Sequence, residues 1–412
     1  MTIKASTDLA QVFAAEGAAS AIASARRAVL ADRSAANSFA VEWRALTQLD
    51  SIAGEWRELA EGALEPNVFY EPAFALAAAP VFGRDAGAVL VWSRTKPRRL
   101  LGFFPALIER RRYGFNLPVL VGLTHPYDPL AVPLVEREAA EPVIAAWLAH
   151  LAGDAALPGF LLLPFLPEVG AFAVALDAIL ERAQMPAADF NRQRRALLAP
   201  SGDRSLYIEQ AVGQHQHKEL RRHWRRLGET GAVLFTEATE PSAVAAAMED
   251  FFALEASGWK GRAGTATAGH NDLRRFIRTA VCGLAAEGKA SIHRILVDGR
   301  AIAATITLRS GRCGWFWKIA YDEAFARFSP GVMLTMVLTD ELLDDMTIER
   351  TDSCATPNHP MINHLWRERL ALCNRLVALR PQAPFSAVRR LEGLRSAAIA
   401  GAKSLRRQLQ RW

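Results

Sequence analysis

The stretch AYDEAFARFSPGVMLTMVLTDEL, residues 320–342, decides how this chain is read. It follows the aromatic run WFWKIAY, which reads as a strand, and passes through Ser329, Pro330 and Gly331 into a segment whose apolar positions Val332, Met336 and Leu343 suit a buried helix. A small polar residue followed by Pro is a helix start, because Pro presets φ and lacks an amide that would go unbonded there anyway. The first amides of such a helix, those of Gly331, Val332 and Met333, lie at the positive end of the helix dipole and suit an anion. Gly331 has no side chain to hold a phosphate off.

Working outward, SIHRILV and AIAATITL are joined by Asp298-Gly299, the strongest short hairpin signal. Ile302, Ala304, Ile306 and Leu308 alternate with Ala303, Thr305 and Thr307, the period of a strand. Further upstream, AVLFTEA reads as a strand, and PSAVAAAMEDFFALEAS and DLRRFIRTAVCGLAAEG read as helices. The second half thus predicts β-α-α-β-β-β-loop-α-β-α-β. The first half has a similar vocabulary: SFAVEWRALT as a strand, DSIAGEWRELAEGA as a helix, and AGAVLVWSR with RLLGFFPALIERRR as a hairpin around TKPRR. GFLLLPFLP is a buried strand between the helices EPVIAAWLAHLAG and GAFAVALDAILERA.

Length, 412 residues, predicts two to three domains. The expected boundaries are an Ala-rich leader over 1–37, read as a loose helix or disorder, an α/β domain over 38–200, a second over 201–380, and a basic amphipathic tail over 381–412. Cys282, Cys313, Cys354 and Cys373 form no C-x-x-C pair, which points to free thiols and against a zinc ribbon. No apolar run approaches the ~18 to 20 residues of a membrane span. Asp8 and Glu16 interrupt any signal-peptide core, so a cytoplasmic location is expected. The net charge of +6 favours an anionic partner without naming one.

The motifs LEASGWKGRAGTA (254–266), YDEAFARFSPG (321–331) and TDSC followed by HPMINHLWRERL (351–370), in this order, resemble the Gcn5-related N-acetyltransferase (GNAT) fold. The resemblance is closest to the FemAB-like and CelD/BioF2-like acetyltransferase domains, in which two such folds sit in tandem. It implies an α/β protein of two GNAT-like domains with mixed central sheets, the first degenerate and the second carrying the donor site. The activity implied is acyl transfer from acetyl-CoA or another acyl-CoA to an amine or hydroxyl acceptor, a small molecule or glycan of polysaccharide or cell-envelope synthesis, without a metal. Two other readings stand beside it: an aminoacyl-tRNA-dependent transferase, and a non-catalytic accessory subunit of polysaccharide assembly.

On this reading Ser329, Pro330, Gly331, Val332 and Met333 hold the donor pyrophosphate. Acyl transfer also needs an unprotonated nucleophile. Asp352, after the short strand TIER, is the first candidate for a base or orienting group, and as readily a loop cap; His359 is the second. Trp259, Lys260, Arg262 and Tyr321 are the candidate substrate-binding residues, offering a stacking face, two cations and a phenol. Lys318 and Tyr321 fall on opposite faces of one strand by parity. His359 with His364, and His215 with His217 and His223, lack metal-ligand spacing and are read as solvated or core histidines. Arg221, Arg222, Arg225 and Arg226 suit the tRNA reading. Val388, Leu391, Leu394 and Ile399 among the basic residues of the tail suit either packing on the protein or a weak contact with an anionic membrane.

Overall fold

Alternation of apolar residues builds sheet in both halves of the chain, and the computed structural model describes it for residues 38–200, 204–258, 267–381 and 383–409. In chain order the main elements are β1 (Phe39–Ala45), α1 (Ala53–Glu61), α2 (Pro72–Phe82), β2 (Ala86–Ser93), β3 (Leu100–Glu109), β4 (Val119–Gly122), β5 (Leu134–Val135), α3 (Ala140–Gly153), β6 (Phe160–Pro167), α4 (Ala171–Arg182) and β7 (Ala187–Leu198). Then come α5 (Tyr207–Val212), α6 (Gln214–Gly228), β8 (Val233–Ala238), α7 (Pro241–Ser257), α8 (Asn271–Ala286), β9 (Ala290–Val297), β10 (Arg300–Ser310), β11 (Cys313–Tyr321), α9 (Pro330–Asp344), β12 (Arg350–Asp352), α10 (Ile362–Leu365), β13 (Glu368–Ala378) and α11 (Phe385–Leu409). The leader 1–37 lies outside the described residues.

The chain divides into two compact units that are discontinuous in sequence. Unit 1 takes the chain up to Glu65, Asp85–Arg192 and Leu372 onward; unit 2 takes Pro66–Arg84 and Gln193–Ala371. A single cut near residue 200 therefore misses two segments. Residues 66–84 belong to unit 2 because Glu71, at the start of α2, is buried there with Ser310 donating to one carboxylate oxygen and Lys289 to the other. Phe74 of α2 also meets Trp317 and Phe276 edge-on at 5.5 and 5.4 Å.

The two units share a strand order. In unit 1, β1, β2, β3 and β4 are antiparallel neighbours, β4 lies parallel to β6, and β6 pairs antiparallel with the end of β13. In unit 2, β8, β9, β10 and β11 form the meander, β11 lies parallel to β12, and β12 pairs antiparallel with the end of β7. Each unit is thus a meander followed by one parallel crossover, the arrangement expected of the second half and found in both.

The tail helix α11 packs on unit 1. Val388 is buried with Val119, Val121, Phe160 and Leu376, each such side chain contributing ~1.5–3 kcal/mol of burial. Glu392 is fully buried; Arg112 donates to both of its oxygens at 2.9 Å and Tyr113 to one at 3.0 Å. Leu394, by contrast, is 69% exposed. Burial alone would raise the Glu392 carboxyl, but hydrogen bonding and charge from Arg112 outweigh it and hold the group below its ordinary range. A depressed carboxylate contributes stability above its unfolded pKa and loses it as pH falls through the folded value. The gap in Tm between the wild type and Glu392→Gln should therefore be largest near neutral pH and close as the pH drops below the ordinary carboxylate range. A gap that stays constant with pH would show that the pair contributes through shape alone.

Candidate functional site

Strand β11 is the spine of the site. Thr307 pairs with Phe316 and Ile306 with Lys318, so Trp317 is bulged out of the ladder. Beyond the bulge alternation resumes: Lys318 turns to α7, where its Nζ lies 3.2 Å from Glu255, and Tyr321 turns to α9. The parity reading of these two residues holds.

On its other edge β11 pairs with β12 for three residues only, Cys313 with Arg350, Gly314 with Thr351 and Trp315 with Asp352. There β12 ends, while β11 runs on for six residues to Tyr321. The two parallel strands therefore part after Trp315 and Asp352. The edge of β11 left in the opening has no strand partner among the described residues. Backbone groups there can bond an extended ligand as a further strand would.

Past Tyr321 the chain makes a tight turn capped by Asp322, whose Oδ1 accepts from the Ala324 amide at 2.9 Å. It then enters α9 at Pro330. Ser329 is left-handed, φ 54°, and its side chain caps nothing; its carbonyl accepts the Met333 amide at 3.1 Å. This corrects one expectation: the Met333 amide is spent inside the helix. The amides ahead of it, those of Gly331 and Val332, precede the first helical bond and supply the anion-suited terminus. Gly331 is buried, and a Cβ on it would stand 3.3 Å from Tyr321 Cδ1 and 3.7 Å from Ile319 Cδ1. The glycine lets the helix start lie against the Tyr321 ring.

Asp352 ends β12 beside the parting strands and is 6% exposed. Arg195 donates to one of its oxygens, and the Cys354 amide donates to the other at 3.0 Å. Each oxygen thus carries a hydrogen bond, and of the roles expected for Asp352 the cap on the following turn is the one these bonds display. His359 accepts at Nδ1 from the amides of Met361 and Ile362, 3.3 and 3.4 Å away, capping α10. Burial lowers its pKa, so the ring is neutral at pH 7 with its proton on Nε2. In that state it can donate from Nε2 but has no lone pair left to act as base.

His364 is exposed. Trp259, Lys260 and Arg262 lie outside the described residues, as do the side chains of His215 and His217. The root of the 259–266 segment is described: Glu255, 3% exposed, accepts the Thr267 amide at 2.9 Å while also meeting Lys318. Glu255, Arg195 and the Trp317 bulge were not singled out from sequence. Glu255 sits inside the quoted 254–266 motif, a signal that pointed to it; Arg195 lies in the run NRQRRALL, where nothing distinguishes it. Among the described residues no group of His, Cys, Asp and Glu could hold a metal ion, and no helix is long and apolar enough to cross a membrane.

Comparison with known proteins agrees with this geometry. The model of the acetyltransferase (GNAT) domain matches residues 214–356. No curated protein matches the chain. Among solved structures, FemX superposes with a TM-score of 0.54 at 8% identity, covering 82% of this chain and 98% of FemX. The C-terminal domain (DUF2156) of a candidate lysylphosphatidylglycerol synthetase from Agrobacterium fabrum gives 0.52 at 9%, covering 85% and 96%. A protein of unknown function from Bacteroides thetaiotaomicron gives 0.50 at 11%, covering 83% and 100%. Residues 214–356 are a GNAT-type acetyltransferase domain. Over most of its length the chain shares the fold of FemX.

Proposed function

We propose that unit 2 transfers an acyl group from acyl-CoA, acetyl-CoA first among them, to an amine or hydroxyl of a sugar or envelope-polysaccharide precursor. The observation that carries this reading is the parting of β11 from β12 after Trp315 and Asp352, with the Gly331 and Val332 amides beyond the end of β11. An extended pantetheine arm would run along β11 beyond the end of β12, and the pyrophosphate would meet the start of α9. The acceptor nitrogen or oxygen adds to the thioester carbonyl, the C–S bond breaks, and the sulfur leaves as CoA thiol with the proton the acceptor gives up. Polarisation of the carbonyl would fall to His359, donating from Nε2. With Asp352 committed to Arg195, the acceptor proton passes to solvent or to the thiolate. Tyr321, Trp259, Lys260 and Arg262 remain the acceptor-side residues of this proposal.

A second donor has one observation in its favour. Arg221, Arg222, Arg225 and Arg226 are all exposed on α6, whose Leu220 and Leu227 are buried, so a phosphate backbone could lie along that helix. The deciding experiment incubates the full chain with a panel of amino sugars and polyols, using acetyl-CoA, longer acyl-CoAs or aminoacyl-tRNA as donor. Free CoA and product are detected by mass spectrometry. Acceptor-dependent CoA release with a matching mass gain on the acceptor is the expected result. Product from aminoacyl-tRNA alone would transfer the reading to the second donor, and CoA binding without turnover on any acceptor would make the chain an accessory subunit.

A further inference from the structure

Two segments of unit 1 meet at its surface: the connection from β3 to β4, residues 110–118, and the first turns of α11. Arg112 and Tyr113 of the connection bond Glu392, while Tyr113, Leu117 and Phe385 pack on the cluster that holds Val388. The connection is thus fixed to the helix. Residues within two or three positions of these anchors lie in one patch, within about 10 Å of the Arg112–Glu392 bond.

The charge of this patch is one-sided. Residues 109–118 and 385–395 hold six arginines and two acids, Glu109 and Glu392, so four positive charges are left over. Both acids are bonded to Arg112, and Arg395 lies 3.7 Å from Glu392. Arg110, Arg111, Arg389 and Arg390 are exposed, and none of the four meets a carboxylate among the described residues. Guanidinium groups this close repel one another, and an anionic partner relieves the repulsion.

Apolar side chains face outward beside them. Val388 and Glu392, one turn apart, take the inner face of α11 and leave Leu394 on the outer face, one turn after Arg390. Phe115 follows Gly114, whose φ is 87°, and is 49% exposed with the Tyr113 ring 6.4 Å away. This is a different apolar face from the one formed by Val388, Leu391, Leu394 and Ile399: Val388 packs on the protein, and the connection supplies Phe115 instead. Charge alone would suit nucleic acid or an acidic protein equally well. An exposed leucine has no role on a phosphate backbone, whereas a bilayer interface takes both kinds of group, arginines at the lipid phosphates and Phe and Leu at the acyl boundary.

We propose that this patch docks unit 1 on an anionic phospholipid surface, with Arg110, Arg111, Arg389 and Arg390 at the headgroups and Phe115 and Leu394 at the acyl boundary. The contact is peripheral, stands apart from acyl transfer and is tested without it.

The full chain is sedimented with vesicles of phosphatidylcholine and with vesicles that also contain phosphatidylglycerol, at low and at high salt. It should bind the second kind alone, and more weakly as salt rises. Arg110→Gln with Arg111→Gln, and Arg389→Gln with Arg390→Gln, should each weaken binding at least about tenfold. Phe115→Ser with Leu394→Ser should weaken it by a similar factor at a salt concentration where the wild type still binds. All six positions are exposed, so the Tm of these variants should match the wild type. Arg275→Gln with Arg312→Gln removes the same charge from exposed positions of unit 2 and should leave binding unchanged. Absence of salt-sensitive binding to the anionic vesicles, or an equal loss in the unit 2 control, would overturn the proposal. So would full binding by the Phe115 and Leu394 variant together with displacement of the vesicles by RNA, which would make the patch a general polyanion site.

Discussion

Asp352→Ala should lower the stability of unit 2 by about 3–5 kcal/mol, because it takes the carboxylate from a buried guanidinium. The Arg195 side chain is 3% exposed, and its carboxylate partner is 7% exposed. Removing one member of a buried pair costs far more than the pair contributes, since the remaining charge keeps its desolvation penalty without its Coulomb return. In a domain of this size the loss should appear as a fall in Tm on the order of 10 °C. Asp352→Asn should be milder, because an amide oxygen can still accept from Cys354. Replacing both members with apolar residues, Arg195→Met with Asp352→Leu, should recover much of the loss. Thermal unfolding of the three variants, set beside turnover, decides the role. A variant with wild-type Tm and no turnover would return Asp352 to the chemistry; a large Tm loss with turnover falling only in proportion to the folded fraction confirms it as a positioning residue.

The second large effect is expected at Gly331. Glu at this position places a carboxylate before the Gly331 and Val332 amides, where the dipole and two donors otherwise suit a phosphate. Affinity for CoA should fall by about 10²-fold or more, close to 3 kcal/mol. Gly331→Ala is the control: its Cβ meets Tyr321 Cδ1 at 3.3 Å, a contact that a shift of a few tenths of an ångström relieves, and helix propensity gains up to ~1 kcal/mol. That variant should keep both its Tm and its affinity for CoA. Calorimetry with CoA measures all three proteins, and Gly331→Glu binding CoA as the wild type does would remove the donor from the start of α9.

What the sequence disclosed was local. The Asp298-Gly299 turn is where its dipeptide placed it, with φ of 49° and 80°, because turn chemistry acts over two residues. The alternation of Ile302 to Leu308 and the helix start at Pro330 are equally short-range signals, and both are found. The pairings that shape the site are not short-range. Arg195 meets Asp352 across 157 residues of sequence, and nothing in either neighbourhood announces the other. The same distance hid the ends of β7 and β13, whose apolar patterns say strand but not beside which neighbour. Asp352 and His359 were singled out as titratable groups near a strand end, which is correct in place. Their hydrogen bonds decide their roles, and those depend on backbone amides at Cys354, Met361 and Ile362 that no residue type reveals. The bulge at Trp317 likewise leaves no mark in WFWKIAY.

The discontinuity of the two units bears on how the chain comes to be built. The backbone passes between them four times, after Glu65, Arg84, Arg192 and Ala371. Unit 1 opens near the N-terminus yet lacks its last strand and the helix carrying Glu392 until residues past 372 have emerged from the ribosome. Unit 2, begun later, has its whole meander and crossover in hand first. The order of completion reverses the order of synthesis, and the earlier half must wait, with Arg112 lacking Glu392, for the residues that follow Ala371. Neither unit can then be cut out as a contiguous fragment; expression of either half alone should give a chain with an unpaired sheet edge, a species suited to aggregation more than to assay.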